Sequence, residues 1–391
     1  MSVADGTLPP VSSYPPSGPL PTTTLRQRLA DLRGPAVPPR PLDARALAAL
    51  AANPGCGRRT LLDGAGVDKT ALAAALGSPA PFGQSQFAIA RGNSFEARVK
   101  GDGGAVLLEL VHRHLDAGAE PPGPDARVPD LTAAGPEGRA ARTALALREA
   151  TAAGAAFGAW TLLDHPMLAL EVAGSPAYLE PDAVVVHPDG RWTVVEIKSF
   201  PMIDGAADAA KVGAAARQAA VYVLALEKTA GKLASAVVGH TVLLVCPKDF
   251  SNLPAAAPVD VRRERAVTRR RLERLTRVEE LAAALPEGLG FDPELPAEEL
   301  TAAVSAVPAA YAPECLAACE LAFHCRERAR AADEVTALGR SVRGELGALT
   351  TVGQALAATA DGGHADDPAA AALHRAARLR AEALEAAACP C

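Results

Sequence analysis

The sequence predicts an α/β protein: a central mixed β-sheet flanked by helices, followed by a helical C-terminal region. Three observations carry this. Three β-rich runs, at residues 167–172, 177–187 and 191–200, follow a long Ala-rich run with helical character. A second helical run and then a short apolar run at 241–246 come after them, so the order is helix, three strands, helix, strand, which fits a sheet with helices on its faces. Aromatics make up only 4% of the chain while Ala is abundant, and Ala has the highest intrinsic helix propensity.

The elements follow in order. The chain has 391 residues, 49% of them apolar, which is room for two or three domains at ~150 residues each and for a sizeable core. Ten prolines fall within the first 42 residues, so residues 1–45 are expected to be a disordered Pro-rich arm, with a short helix starting near its end. The turn Asn53-Pro54-Gly55-Cys56-Gly57 then presents a cysteine. Residues 84–117 read as helix interrupted at 101–104, 118–136 as a Pro/Gly-rich loop, and 137–159 as a long helix. His187-Pro188-Asp189-Gly190 is a turn signal that makes the flanking β-rich runs a hairpin. Residues 206–229 form the next helix and 241–246 a buried strand, 259–284 a charged helix, and 311–330 a helical stretch with three cysteines. The expected organisation is therefore an arm over 1–45, a main domain over 46–330 and a helical extension over 331–391, with no internal repeat.

The formal net charge of −6 gives no global basic signature, although a nucleic-acid enzyme needs only a local basic surface. No uncharged apolar run approaches the ~18 residues of a membrane span, and the first residues lack the basic-then-apolar pattern of a secretory signal. A cytoplasmic protein with no membrane partner is the expectation. Seven cysteines would be reduced there, and clustered ones more often bind metal than form disulfides.

The chemistry concentrates in Pro181-Asp182, the turn, and Glu196-Ile197-Lys198. Side chains two apart on a strand share a face, so Glu196 and Lys198 point one way while Val195 and Ile197 fill the other side. The hairpin brings Asp182 alongside. Two carboxylates and an ammonium at the end of an apolar sheet are costly unless paired or metal-bound. Mg²⁺ or Mn²⁺ suits the oxygen ligands of Asp182 and Glu196, and Lys198 would orient a water or offset charge developing on a phosphate. The alternative is a surface hairpin with an ordinary Glu/Lys pair, because E-x-K is common by chance. The Pro-Asp at hairpin distance separates the two.

Pro181-Asp182 with Glu196-Ile197-Lys198 resembles the motif of the PD-(D/E)XK nuclease superfamily. Gln218-Ala219-Ala220-Val221-Tyr222 resembles the Q-x-x-x-Y motif of its RecB-like exonucleases, including those associated with CRISPR adaptation. Spacing of four puts Gln218 and Tyr222 on one helical face, where they would support the active-site strand or contact DNA; plain helix packing is the alternative. Arg91-Gly92-Asn93-Ser94-Phe95-Glu96 resembles the first core helix of the group, with Glu96 where many members carry a metal-binding His. Glu96 is thus a candidate third ligand, or else a solvated residue or the partner of Arg91 or Lys100. The resemblance implies a restriction-endonuclease-like core and a metal-dependent deoxyribonuclease of exonuclease type. It implies a metal site of Asp182, Glu196, the Ile197 carbonyl and Glu96, with Lys198, Gln218 and Tyr222 in the catalytic set.

Cys315, Cys319 and Cys325 form a C-x3-C-x5-C pattern, with Cys56 far upstream. One distant cysteine plus three clustered ones resembles the iron–sulfur staple of RecB-like and AddB-like nucleases, in which a [4Fe–4S] cluster ties the ends of the domain together. Four thiolates satisfy such a cluster. Zinc is the lesser alternative, because paired C-x2-C knuckles are absent. His324 is expected beside the site, Cys246 in the core, and Cys389 and Cys391 at a frayed end.

Eight arginines between Arg262 and Arg277 suit either phosphate contact or a solvated helix paired with Glu264, Glu273 and Glu279. The expected partner is DNA, single-stranded or end-exposed, in repair or in defence against foreign DNA. The chain has no G-x-x-x-x-G-K-[ST] run, so a helicase motor would be a separate subunit. The competing class is a catalytically silent iron–sulfur scaffold that binds DNA or a larger complex.

Overall fold

The computed structural model describes residues 22–79, 86–233, 235–249, 251–311, 315–333, 335, 344–360 and 366–388. Its centre is a six-stranded mixed sheet in the order β1-β4-β5-β7-β8, with β6 also pairing β5. The strands are β1 Thr161–Asp164, β4 Ala183–Val186, β5 Arg191–Ile197, β6 Val237–Val238, β7 Thr241–Pro247 and β8 Pro254–Asp260. β4 pairs antiparallel with both β1 and β5, β5 pairs parallel with β7, and β8 closes the edge antiparallel. Strands β2 Leu168–Val172 and β3 Ser175–Leu179 form a separate two-stranded sheet.

The parallel step from β5 to β7 needs a crossover, and helix α8, Ala209–Ala230, supplies it. Alternation decides which face each strand residue serves. Val184, Val186, Trp192 and Val194 pack with α8, α7 (Gly135–Phe157) and α2 (Ala44–Ala52). Ala183, Val185, Val195 and Ile197 pack instead with Phe95, Val99, Leu107 and Leu108 of α5 (Gln86–Val99) and α6 (Ala105–Leu115). Both faces are therefore covered, which is why β4 is apolar at every position. The α5–α6 kink passes so close to β1 that a Cβ on Gly104, whose φ is +78°, would stand 2.1 Å from Leu162 Cδ2.

A second apolar cluster joins segments far apart in sequence. It combines Leu32 of α1 (Thr22–Arg33), Leu61 and Leu62 of α3 (Gly57–Ala65) and Leu72 of α4 (Lys69–Ala75) with Val278 of α10 (Val278–Ala283) and Leu300 and Val304 of α11 (Ala297–Ala306). Cys319 and Leu321 complete it, between α12 (Cys315–Ala318) and α13 (Ala322–Ala331).

The α/β class, the crossover helix and the 187–190 turn agree with the sequence reading. Four details differ. The arm expected over residues 1–45 includes helix α1, whose Leu32 is fully buried and whose carbonyl accepts from Phe291 N at 2.6 Å; residues 1–21 lie outside the described residues. The run 177–187 is two strands, because Pro181 has no N–H to continue a ladder. Thr161–Asp164 is an additional strand, too short to show a period. The charged helix expected over 259–284 is divided into the end of β8, α9 (Arg262–Leu272), a turn and α10, since Leu275 leaves the helix to enter the core. The C-terminal region is helical as expected, with α14 Val352–Ala360 and α15 Pro368–Ala388. Among the described residues no helix is long and apolar enough to cross a membrane.

Candidate active site

The β4–β5 register pairs Ala183 with Val195, so one residue further the hairpin sets Asp182 opposite Glu196. Asp182 does not continue the ladder with its backbone. Its Oδ2 accepts from Ile197 N at 2.6 Å, which fixes the carboxylate across the end of β5. Glu196 is 1% exposed on the α8 face. Lys198 leans over it and pairs with Glu196 Oε1. Behind the lysine, Gln218 Oε1 accepts from Lys198 Nζ at 3.5 Å, and Gln218 Nε2 donates to Tyr222 OH at 3.0 Å. Tyr222 in turn donates to the Glu180 carbonyl at 3.2 Å. A chain of polar contacts thus runs from the segment before Asp182, through α8, to the ammonium of Lys198. All five residues expected as catalytic stand in one place.

Burial dominates the charges. It pushes the Glu196 carboxyl up to about 7, with Lys198 opposing and Asp182 adding to the rise. The Asp182 carboxyl is raised for the same reason, against the pull of Lys198 and the Ile197 N–H. Burial works to lower the Lys198 ammonium, but Glu196 and Asp182 outweigh it and the net shift is upward. Neither oxygen of Glu196 receives an aligned hydrogen bond, in spite of the ion pair with Lys198. A buried carboxylate with its lone pairs unmet is a site for a hard cation. Among the described residues no three His, Cys, Asp or Glu side chains are arranged to hold a metal ion by themselves. Asp182 and Glu196 with the Ile197 carbonyl form a partial set, which suits Mg²⁺ because that ion commonly takes one or two carboxylates and keeps several waters.

Glu96 comes from the opposite helical layer. Arg91 donates to the Ser199 carbonyl at 3.2 Å, so α5 crosses the end of β5. Glu96 raises the carboxyl of Asp182 as well as that of Glu196, which places its charge within reach of both. Its own carboxylate is engaged: Oε1 meets Lys100 and, at 3.0 Å, His165 Nε2. The His165 contact, helped by Lys100 and opposed by burial, holds the Glu96 carboxyl down at about 2. Of the roles open to Glu96, the Lys100 pair is present.

His165 escaped the sequence reading. It sits after β1 with a φ of +44°, its N–H donates to the Asp182 carbonyl at 3.3 Å, and Lys100 Nζ lies 3.0 Å from its Nε2. A non-glycine residue in the left-handed region is uncommon and marks a backbone held by its surroundings. No local motif announces it, because β1 itself was too short to recognise.

The turn carrying Cys56 docks on the segment carrying the other three cysteines. Arg58 N donates to the Pro308 carbonyl at 2.7 Å, and Asn53 Nδ2 to the Ala310 carbonyl at 2.6 Å. Asn53 Nδ2 also reaches Cys315 Sγ at 3.4 Å, and Arg58 Nη1 reaches Cys325 Sγ at 3.2 Å. Cys325 feels the charge of Cys56 and Cys315, and Cys319 that of Cys315 and Cys325, so the four thiols share one neighbourhood. Burial pushes Cys319 up to about 12 against the pull of Arg59. Such thiols become thiolates only against a bound cationic centre. Arg58 Nε and His324 Nε2 are buried there with no acceptor among the described residues. Four soft donors beside unmet N–H groups fit an iron–sulfur cluster, whose sulfides accept hydrogen bonds. Cys246 is a fully buried core residue; Cys389 and Cys391 lie outside the described residues.

In α9, Arg265 pairs with Glu227 of α8 at 2.7 Å and Arg271 donates to the Ala51 carbonyl at 3.1 Å. Arg263, Arg270 and Arg274 are exposed and have no acidic partner among the described residues. The arginine segment therefore divides into packing contacts and free cations.

No family model, no curated protein and no solved structure matches this chain.

Proposed function

We propose that the protein is a divalent-metal-dependent deoxyribonuclease of the PD-(D/E)XK superfamily, RecB-like in type, with a restriction-endonuclease-like core. The observation that carries this reading is the buried pair Asp182 and Glu196 beneath Lys198, with both Glu196 oxygens lacking an aligned donor. The antiparallel strands before β5 and the parallel crossover to β7 support the fold part of the reading. A Mg²⁺ or Mn²⁺ ion at this site would supply Lewis-acid polarisation of the phosphodiester and a bound water of lowered pKa.

The chain's own residues provide the rest. Asp182 and Glu196 bind through oxygen, and the Ile197 N–H fixes the direction of Asp182. Lys198 places an ammonium where the attacking water and the phosphate charge must be oriented, and Gln218, braced by Tyr222, limits its swing. Arg263, Arg270 and Arg274 offer phosphate contacts for DNA with single-stranded or exposed ends. The cysteines Cys56, Cys315, Cys319 and Cys325 hold a [4Fe–4S] cluster, with zinc the lesser alternative. The setting is cytoplasmic, in repair or in defence against foreign DNA, beside a separate helicase or other subunit.

One observation favours a second reading. Glu96 is engaged by Lys100 and His165 and so is withheld from a third ligand role. A catalytically silent iron–sulfur scaffold that binds DNA would tolerate this. Cleavage of single- and double-stranded DNA by the purified protein with Mg²⁺ or Mn²⁺ decides between them. Wild type should cleave while Lys198→Ala and Asp182→Ala do not. Equal cleavage by all three would refute the site, and an inert wild type that still binds DNA would establish the scaffold.

A further inference from the structure

We propose that the turn between α2 and α3 does more than deliver Cys56: Asn53 and Arg58 donate hydrogen bonds to the Cys315 and Cys325 sulfurs and set the reduction potential of the group these cysteines hold. This rests on the iron–sulfur reading above. The turn packs as one unit. Three residues before Cys56, Asn53 is anchored by its own N–H on the Ala49 carbonyl at 3.3 Å and by Nδ2 on the Ala310 carbonyl at 2.6 Å. Two residues after it, Arg58 is anchored by its N–H on Pro308 O at 2.7 Å and by Nη2 on Val307 O at 3.3 Å. Each then has nitrogen left for a sulfur: Nδ2 at 3.4 Å from Cys315 Sγ, Nη1 at 3.2 Å from Cys325 Sγ.

The chemistry is one-sided. One electron added to an iron–sulfur cluster increases the negative charge that the sulfurs share, and no bond need form or break. Donors to those sulfurs stabilise the reduced form more than the oxidised one and so raise the potential. Arg58 adds a full positive charge and is only 8% exposed, where screening is weak. Its effect must exceed that of the neutral Asn53. A cavity of about 480 Å³, lined by Arg58, Cys325, Tyr311 and Arg328, opens beside this edge. Solvent, which also tunes such potentials, therefore meets the cluster where Arg58 stands.

The test is a dithionite titration of the full-length protein purified anaerobically, followed by visible absorbance and electron paramagnetic resonance. Wild type, Arg58→Met, Arg58→Lys and Asn53→Ala are compared at equal iron and sulfide content. Arg58→Met should need a lower potential, with the reduced-to-oxidised ratio at a fixed potential falling about tenfold or more, as expected for a charge-assisted bond of at least ~1.4 kcal/mol. Asn53→Ala should move it the same way by less, and Arg58→Lys should recover part of the loss. If Arg58→Met does not accumulate, Asn53→Ala and Arg58→Lys carry the comparison. Variants that keep their iron and sulfide but leave the potential unmoved overturn the inference and spare the cluster. A wild type without iron or sulfide overturns the cluster reading itself and this inference with it.

Discussion

Replacing Glu196 by Gln should make the metal-free protein less sensitive to pH, and the size of the change follows from the burial of that carboxyl. Its pKa rises from 4.5 in the unfolded chain to about 7 in the fold, chiefly because burial penalises the charge. The folded state therefore holds the proton more tightly. The stability it contributes is fully present below the unfolded value and is lost as pH climbs through the folded one. At about 1.36 kcal/mol per unit, wild type should lose roughly 2–3 kcal/mol through this group between about pH 5 and about pH 8. Glu196→Gln cannot titrate there. Its absolute stability carries an offset from the broken Lys198 pair, but the offset does not vary in this window, because the Lys198 ammonium titrates only above its usual range. His165, also raised, and His187, lowered by burial, titrate in both proteins and cancel in the difference. Denaturant unfolding in chelator at the two pH values measures the quantity directly. Mn²⁺ added at the higher pH should then stabilise wild type and not the variant, because the cation binds only the folded carboxylates. A wild-type-minus-variant difference that stays constant with pH, or grows in favour of wild type as pH rises, would refute the burial argument.

Three further outcomes follow. Tyr222→Phe should cost about 1–2 kcal/mol in denaturant unfolding, since it removes the donor to Glu180 O and leaves Gln218 Nε2 without its acceptor, and it should lower the cleavage rate through a less constrained Lys198. Gly104→Ala should destabilise by more than ~1 kcal/mol in thermal unfolding, because its φ is left-handed and its Cβ would overlap Leu162. Cys56→Ser should reduce iron and sulfide content and lower the melting temperature, although Cys56 lies far from Cys315 in the sequence; unchanged iron would remove it from the ligand set.

Much of the architecture was open to reading because periodicity is local. The hairpin, the crossover helix and the interrupted 84–117 segment each announce themselves within a few residues. The same holds for Asp182, Glu196 and Lys198, whose convergence needs only strand alternation and one turn, and for Gln218 and Tyr222, which need only helical spacing. What went unread depends on distant partners. Helix α1 looks like part of a Pro-rich arm until Phe291 covers Leu32. The arginine run looks like one helix until Leu275 is drawn into the core.

The sequence by itself determined the α/β class, the catalytic candidates and the two sets of cysteines, because each rests on short-range pattern. The tertiary structure alone decided what surrounds them. It set His165 and Lys100 on Glu96, although His165 is 69 positions beyond Glu96 and lies in a strand end too short to recognise. It also laid Asn53 and Arg58 across the thiols of Cys315 and Cys325. Side chains that meet through packing of separate layers leave no spacing in the chain, and the polarity of a site is set by those meetings.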